Sequence, residues 1–161
     1  MTQPMARILT ATALLVAALA SLARAEDILL WTSREDGGLV SLSYGSFDPG
    51  KIPIFMVTCF NGMNIAVLNL HKELSGTEPG QKITIDIAAE AAQTPVQGEA
   101  ARNERDGPLF AEASGVAIAP VLTVLKEPGP VTVSVGDTRV TLSDTGRPDA
   151  VAKFGKDCQV E

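Results

Sequence analysis

Apolar residues cluster most densely in Ile52–Leu70 (IPIFMVTCFNGMNIAVLNL), where two runs of strand formers flank Asn61-Gly62. Asn-Gly between apolar runs predicts a two-residue hairpin turn, because both central positions of a type I′ turn require φ > 0. Such a loop pairs Phe60 with Met63, Cys59 with Asn64, Val57 with Ala66 and Phe55 with Leu68. Cross-strand partners share a face. One face then carries Phe55, Val57, Cys59, Ala66 and Leu68, and the other carries Met56, Phe60, Met63, Ile65 and Val67. Apolar on both sides, this hairpin is expected inside a sheet assembly, away from a wet edge.

The remaining pattern is mostly that of short strands. Ile28–Ser33, which holds Trp31, and the alternating Leu39–Tyr44 flank a charged turn at Arg34–Gly38 and predict a first hairpin. His71–Gly80 is polar and reads as a loop. Lys82–Ile87 places Ile83, Ile85 and Ile87 on one side. Ala88–Arg102 favours helix by its alanines, but Pro95 and Gly98 interrupt it, so a strand end and a second strand near Val96–Ala101 are expected. Leu109–Ala113 is a further short strand. Val121, Leu122, Val124 and Leu125 share one helical face behind Pro120, which predicts a helix over Ala119–Lys126 with a strand as the alternative.

Val131–Leu142 turns at Gly136-Asp137, with Val131, Val133, Val135, Thr138, Val140 and Leu142 on a dry face and Thr132, Ser134, Arg139 and Thr141 on a wet one. Pro148–Cys158 predicts a closing helix whose buried stripe is Val151, Phe154 and Cys158. About eight short strands with little helix define a mainly β fold. An antiparallel β-sandwich or flattened barrel is expected, finished by a C-terminal helix.

The first residues change the picture of where this fold works. Arg7, the uncharged apolar stretch Ile8–Leu19 and Ala23-Arg24-Ala25 have the order of a secretory signal. The stretch is short of the roughly 20 residues a membrane span needs. Residues 1–25 are therefore expected to be a signal peptide cleaved near Ala25. Residues 26–161 are then one periplasmic or secreted domain without a membrane span. Export leaves 11 basic against 19 acidic residues, a net charge of −8. Such a surface repels nucleic acid and anionic headgroups.

Two cysteines remain, Cys59 and Cys158. In an oxidising compartment the natural pairing is one disulfide between them. It would pin the C-terminal helix to the central hairpin.

Motifs that carry chemistry are scarce. Asp144-Thr145-Gly146 matches the loop that supplies one carboxylate of an aspartic-protease pair, but Asp, Thr and Gly are also turn formers. His71 is the only histidine, so a zinc set cannot be completed and any Ser-His-Asp relay must use it. No G-x-S-x-G, P-loop or dinucleotide fingerprint occurs. Gly45–Ile52 approaches the P-loop spacing, yet Ile52 stands where the magnesium-binding hydroxyl belongs. Glu35-Asp36 and Glu104 with Asp106 sit beside arginines in turn sequences and read as solvated charge. No window has calcium-loop spacing. The loop Gly98–Gly107 (GEAARNERDG) is the best candidate for a recognition surface. No catalytic residue, cofactor or metal is expected.

The order Pro53–Cys59 strand, β-rich middle, short helix, valine-rich hairpin and closing helix with Phe154 and Cys158 resembles small exported proteobacterial two-cysteine proteins. The groups it is similar to are type VI secretion accessory proteins and invasion-associated locus B proteins. The chain lacks the lipobox cysteine of the former, and no Ser/Asp-rich stretch follows Trp31. The resemblance implies a disulfide-pinned β-sandwich in the envelope and assigns no activity. The expectation is a non-enzymatic module that binds another envelope or extracellular protein. A secreted inhibitor of a hydrolase such as lysozyme is the alternative, because an acidic surface suits a basic enzyme. A hydrolase using Asp144 or His71 is the second alternative.

Overall fold

The computed structural model describes residues 27–60, 63 and 65–160. The expected signal peptide, residues 1–25, lies outside the described residues, as do Asn61, Gly62 and Asn64.

Nine antiparallel strands form one sheet: β1 (Leu29–Asp36), β2 (Leu39–Ser46), β3 (Phe55–Phe60), β4 (Ile65–Leu70), β5 (Lys82–Ala88), β6 (Gln93–Ala101), β7 (Phe110–Ala117), β8 (Val131–Val135) and β9 (Thr138–Leu142). Helix α1 (Ile118–Lys126) follows β7 without a break, and α2 (Arg147–Asp157) closes the chain. The strand order is β1-β2-β3-β4-β7-β6-β5-β8-β9. The sheet curls into a half-barrel, and its two outer strands approach one another. The Trp31 amide of β1 donates to the Thr145 carbonyl just beyond β9 at 3.0 Å, and its indole N–H donates to the Ser143 carbonyl at 2.7 Å. Of the two expected architectures, the curled barrel-like sheet is the one formed, and the valine-rich hairpin belongs to it rather than to a second layer.

The alternating residues of the strands and the apolar stripes of both helices share one core. Trp31 sits in it edge-on to Phe55, with ring centroids 5.7 Å apart, and tilted against Tyr44 at 5.3 Å. Helix α1 buries Ile118, Val121, Leu122, Val124 and Leu125, and Pro120 falls in its first turn, where its missing N–H has no intrahelical partner to lose. Helix α2 buries Val151 and Phe154 and ends on Cys158, which is bonded to Cys59 with Cα atoms 6.2 Å apart. The closing helix is therefore stapled to β3, as the cysteine count implied.

The central hairpin differs from its expected register. Cys59 lies opposite Ala66, Val57 opposite Leu68 and Phe55 opposite Leu70, a slip of two residues. β3 ends at Phe60 and β4 begins at Ile65, so Met63 belongs to the connection. Its amide donates to the Phe60 carbonyl at 2.9 Å. A slip of two preserves side-chain parity, and the same residues still share each face.

Only the inner face is dry, however. Phe60 (52%), Met63 (49%) and Ile65 (45%) remain exposed, with Leu39 (42%) across from Phe60. A single-layer sheet has no outer partner to cover them, which corrects the expectation of a hairpin buried on both sides.

Pro95 and Gly98 interrupt a helix but not β6, which contains both. β6 pairs with β7 only at Glu99–Ala101, so at Pro95 that side is an edge, where a missing amide costs no ladder bond. At Gly98 the backbones come so close that an added Cβ would lie 2.4 Å from the Glu112 carbonyl oxygen.

Candidate functional site

Two segments singled out separately in the sequence converge on one cleft. Asn69 of β4 pairs with Glu112 of β7. Continued by two residues, this register sets His71 against Phe110, and their rings lie 4.9 Å apart at 38°. The Leu74 amide donates to the Leu109 carbonyl at 3.0 Å, tying the segment after β4 to the one before β7. Of the expected Gly98–Gly107 loop, Gly98–Ala101 belongs to β6, because it pairs with β5 and β7; the remaining loop, 102–107, lines the cleft with Asn103, Glu104 and Gly107. It is turned by the Gly107 amide on the Glu104 carbonyl at 3.1 Å and by the Arg102 guanidinium on the Arg105 carbonyl at 2.6 Å.

The resulting cleft has a volume of about 370 Å³, within the ~300–1,000 Å³ range of ligand pockets. Buried Leu109 and Phe110 give it an apolar floor, exposed Ile52 and Pro108 extend the apolar surface, and Lys72, Glu73, Asn103 and Glu104 give it a polar rim.

His71 lines the same cleft, half-buried. Its Nδ1 lies 2.9 Å from the Pro53 carbonyl oxygen. A carbonyl can only accept, so Nδ1 carries the proton and the neutral ring keeps Nε2 as an acceptor. Burial pushes the imidazole below its ordinary value, against the opposing pull of the Pro53 carbonyl and of Glu112. The ring is thus neutral at physiological pH. No serine, threonine or cysteine lines the cleft. The cleft offers an apolar floor, one ring acceptor and rim charges of both signs.

The other candidates fall elsewhere. Asp144-Thr145-Gly146 forms the seam between β9 and β1. Thr145 and Ser143 accept from Trp31, and the Tyr44 hydroxyl donates to Ser143 Oγ at 3.2 Å. Gly146 has φ +76° and leaves only 3.2 Å between an added Cβ and the Trp31 carbonyl. The triplet is therefore a structural turn, and its carboxylate is exposed. In Gly45–Ile52, Gly45 and Ser46 end β2 and the residues after them turn: the Gly50 amide donates to Asp48 Oδ1 at 2.9 Å, and Lys51 pairs with Asp27. Glu35-Asp36, Glu104 and Asp106 are exposed. Among the described residues no group of three His, Cys, Asp or Glu side chains is placed to hold a metal, and no helix is long and apolar enough to cross a membrane.

Sequence reasoning missed Arg147, which is 2% exposed. Nothing in its neighbourhood signals this, because an arginine at the start of a helix is ordinarily solvated. Comparison with protein-family models, curated proteins and solved structures finds no match to the chain.

Proposed function

We propose that the protein is a non-enzymatic, exported binding module that engages another envelope or extracellular protein through the His71 cleft. The observation that carries this reading is the convergence of His71–Glu73 with the 102–107 loop around an apolar floor. An apolar centre inside a polar rim is the anatomy of a protein-recognition surface. Ile52, 65% exposed, is its most accessible apolar element, and His71 Nε2 offers an acceptor to a donor on the partner. The disulfide and the resemblance to exported two-cysteine proteins support work in the periplasm or outside the cell.

A photoreactive side chain at Ile52, compared with one at Arg139 on the exposed side of β9, tests the proposal in intact envelopes. The expected result is one discrete heterologous adduct from position 52, weakened by Glu104→Lys and absent from position 139. Equal adducts from both positions, or only self-adducts, would overturn it. The acidic surface keeps hydrolase inhibition as the second reading. In that case a basic lysozyme is slowed at low ionic strength, and the effect fades as salt screens the charges.

A further inference from the structure

The structure contains a second cleft, between the end of α1 and the start of α2. Its volume is about 340 Å³. Leu125, Pro128, Pro148, Val151 and Ala152 make its wall predominantly apolar, and Arg147 forms part of it. Arg147 Nη2 donates to the Glu127 and Gly129 carbonyls, each at 2.5 Å. This half of the guanidinium is structural, since it satisfies carbonyls at the C-terminal end of α1. The other half has no such role. Nη1 is sealed from bulk water and has no hydrogen-bond partner in the protein.

No carboxylate lies within ion-pair distance of the guanidinium among the described residues. Asp144, three residues away, is near enough to attract it but is itself exposed. A buried cation with an unmet donor is costly, and an anion that accepts from it recovers that cost.

We infer that this cleft binds a carboxylate carried on an apolar group, with the carboxylate accepting from Arg147 Nη1 and the apolar group lying along Val151, Ala152 and Pro148. A free fatty acid and the C-terminal residue of a peptide both present this chemistry. Because Nη1 is sealed from water in the free protein, binding requires the cleft wall to open until the carboxylate reaches it; Asp144 and Lys126 are exposed charged residues of that wall. The site is independent of the His71 cleft, and neither reading relies on the other.

Thermal unfolding of the full exported chain tests the inference, with hexanoate, hexanamide, acetate, and N-acetyl-Ala-Leu as its acid and its amide. Hexanoate or the peptide acid at ten times its Kd is expected to raise Tm by roughly 3–6 °C. Which of the two does so identifies the source. Hexanamide, the peptide amide and acetate at the same concentration are expected to leave Tm unchanged. Because replacing Arg147 also removes the ties to Glu127 and Gly129, the control variant is Ala152→Phe, which fills the cleft from an exposed position and leaves Arg147 intact. Its Tm should no longer respond. No shift with either acid, an equal shift with the amides or with acetate, or a shift that survives in Ala152→Phe would each overturn the inference.

Discussion

The disulfide should dominate the stability of this fold, and the structure allows its contribution to be worked out. Cys59 and Cys158 are 99 positions apart. In the chain-entropy treatment, closing a loop of about 100 residues removes denatured-state freedom equivalent to roughly 4.7 kcal/mol. Measured values fall below this because reduced chains keep residual structure, so about 2–5 kcal/mol is expected. Set against a total of about 5–15 kcal/mol for a typical domain, the staple supplies a large share. Both sulfurs are buried, at 0% and 1% exposure, so a single Cys→Ala change also removes some packing.

The cleanest assay is therefore a double-mutant cycle of Cys59→Ala, Cys158→Ala and the pair, by urea denaturation with and without reductant. Either single change already abolishes the cross-link. The two singles should cost nearly the same, and the double should cost within about 1 kcal/mol of either rather than their sum. At roughly 2–8 °C of Tm per kcal/mol, the melting shifts will be plain. Reduced wild type should fall to the level of the variants. Additive losses, clearly unequal singles, or indifference to reductant would refute the claim that one covalent link holds α2 on β3.

Two further outcomes follow from geometry already described. Gly98→Ala must separate β6 from β7, because its Cβ would meet the Glu112 carbonyl oxygen at 2.4 Å. A loss of about 1–3 kcal/mol is expected by denaturation, whereas Gly136→Ala has open space around it and a cost set only by its φ of +54°. His71 has a folded-state pKa below its ordinary 6.5, so the unfolded chain binds the extra proton first as pH falls. Its stabilising contribution is complete above about pH 6.5 and is lost as pH drops through the folded value. Melting curves between pH 8 and pH 5 should show this slope in wild type and a flatter one in His71→Asn. Identical slopes would show that the imidazole is not desolvated.

Local periodicity revealed more of the fold than of the site. The alternation of Val131, Val133 and Val135 identified one hairpin down to its Gly136-Asp137 turn, since β8 and β9 meet with Val135 opposite Thr138. The spacing of Val151, Phe154 and Cys158 likewise placed α2. What periodicity does not encode is which strand lies beside which. The pairings of β4 with β7 and β5 with β8 join segments distant in sequence, and they decide that there is one curled sheet instead of two layers. The tip of the central hairpin misled because apolar character runs on through Met63, so nothing in the pattern marks where pairing stops. His71 and the 98–107 loop were each visible as candidates. Their meeting was not, because it depends on the β4–β7 register. Arg147 was illegible for a similar reason: the carbonyls that bury it belong to the end of another helix.

The bond between β3 and the last turn of α2 also determines how the molecule responds to tension. A stretch applied between Asp27 and Val160 travels along the polypeptide only as far as Cys59, then crosses the sulfur bridge and leaves by Cys158. The 99-position span behind that bridge, which includes the whole Arg147 cleft and all of the His71 cleft's lining except Ile52, carries no load. Under traction only β1, β2 and β3 can unravel, and everything downstream is shielded until the bridge itself is cut.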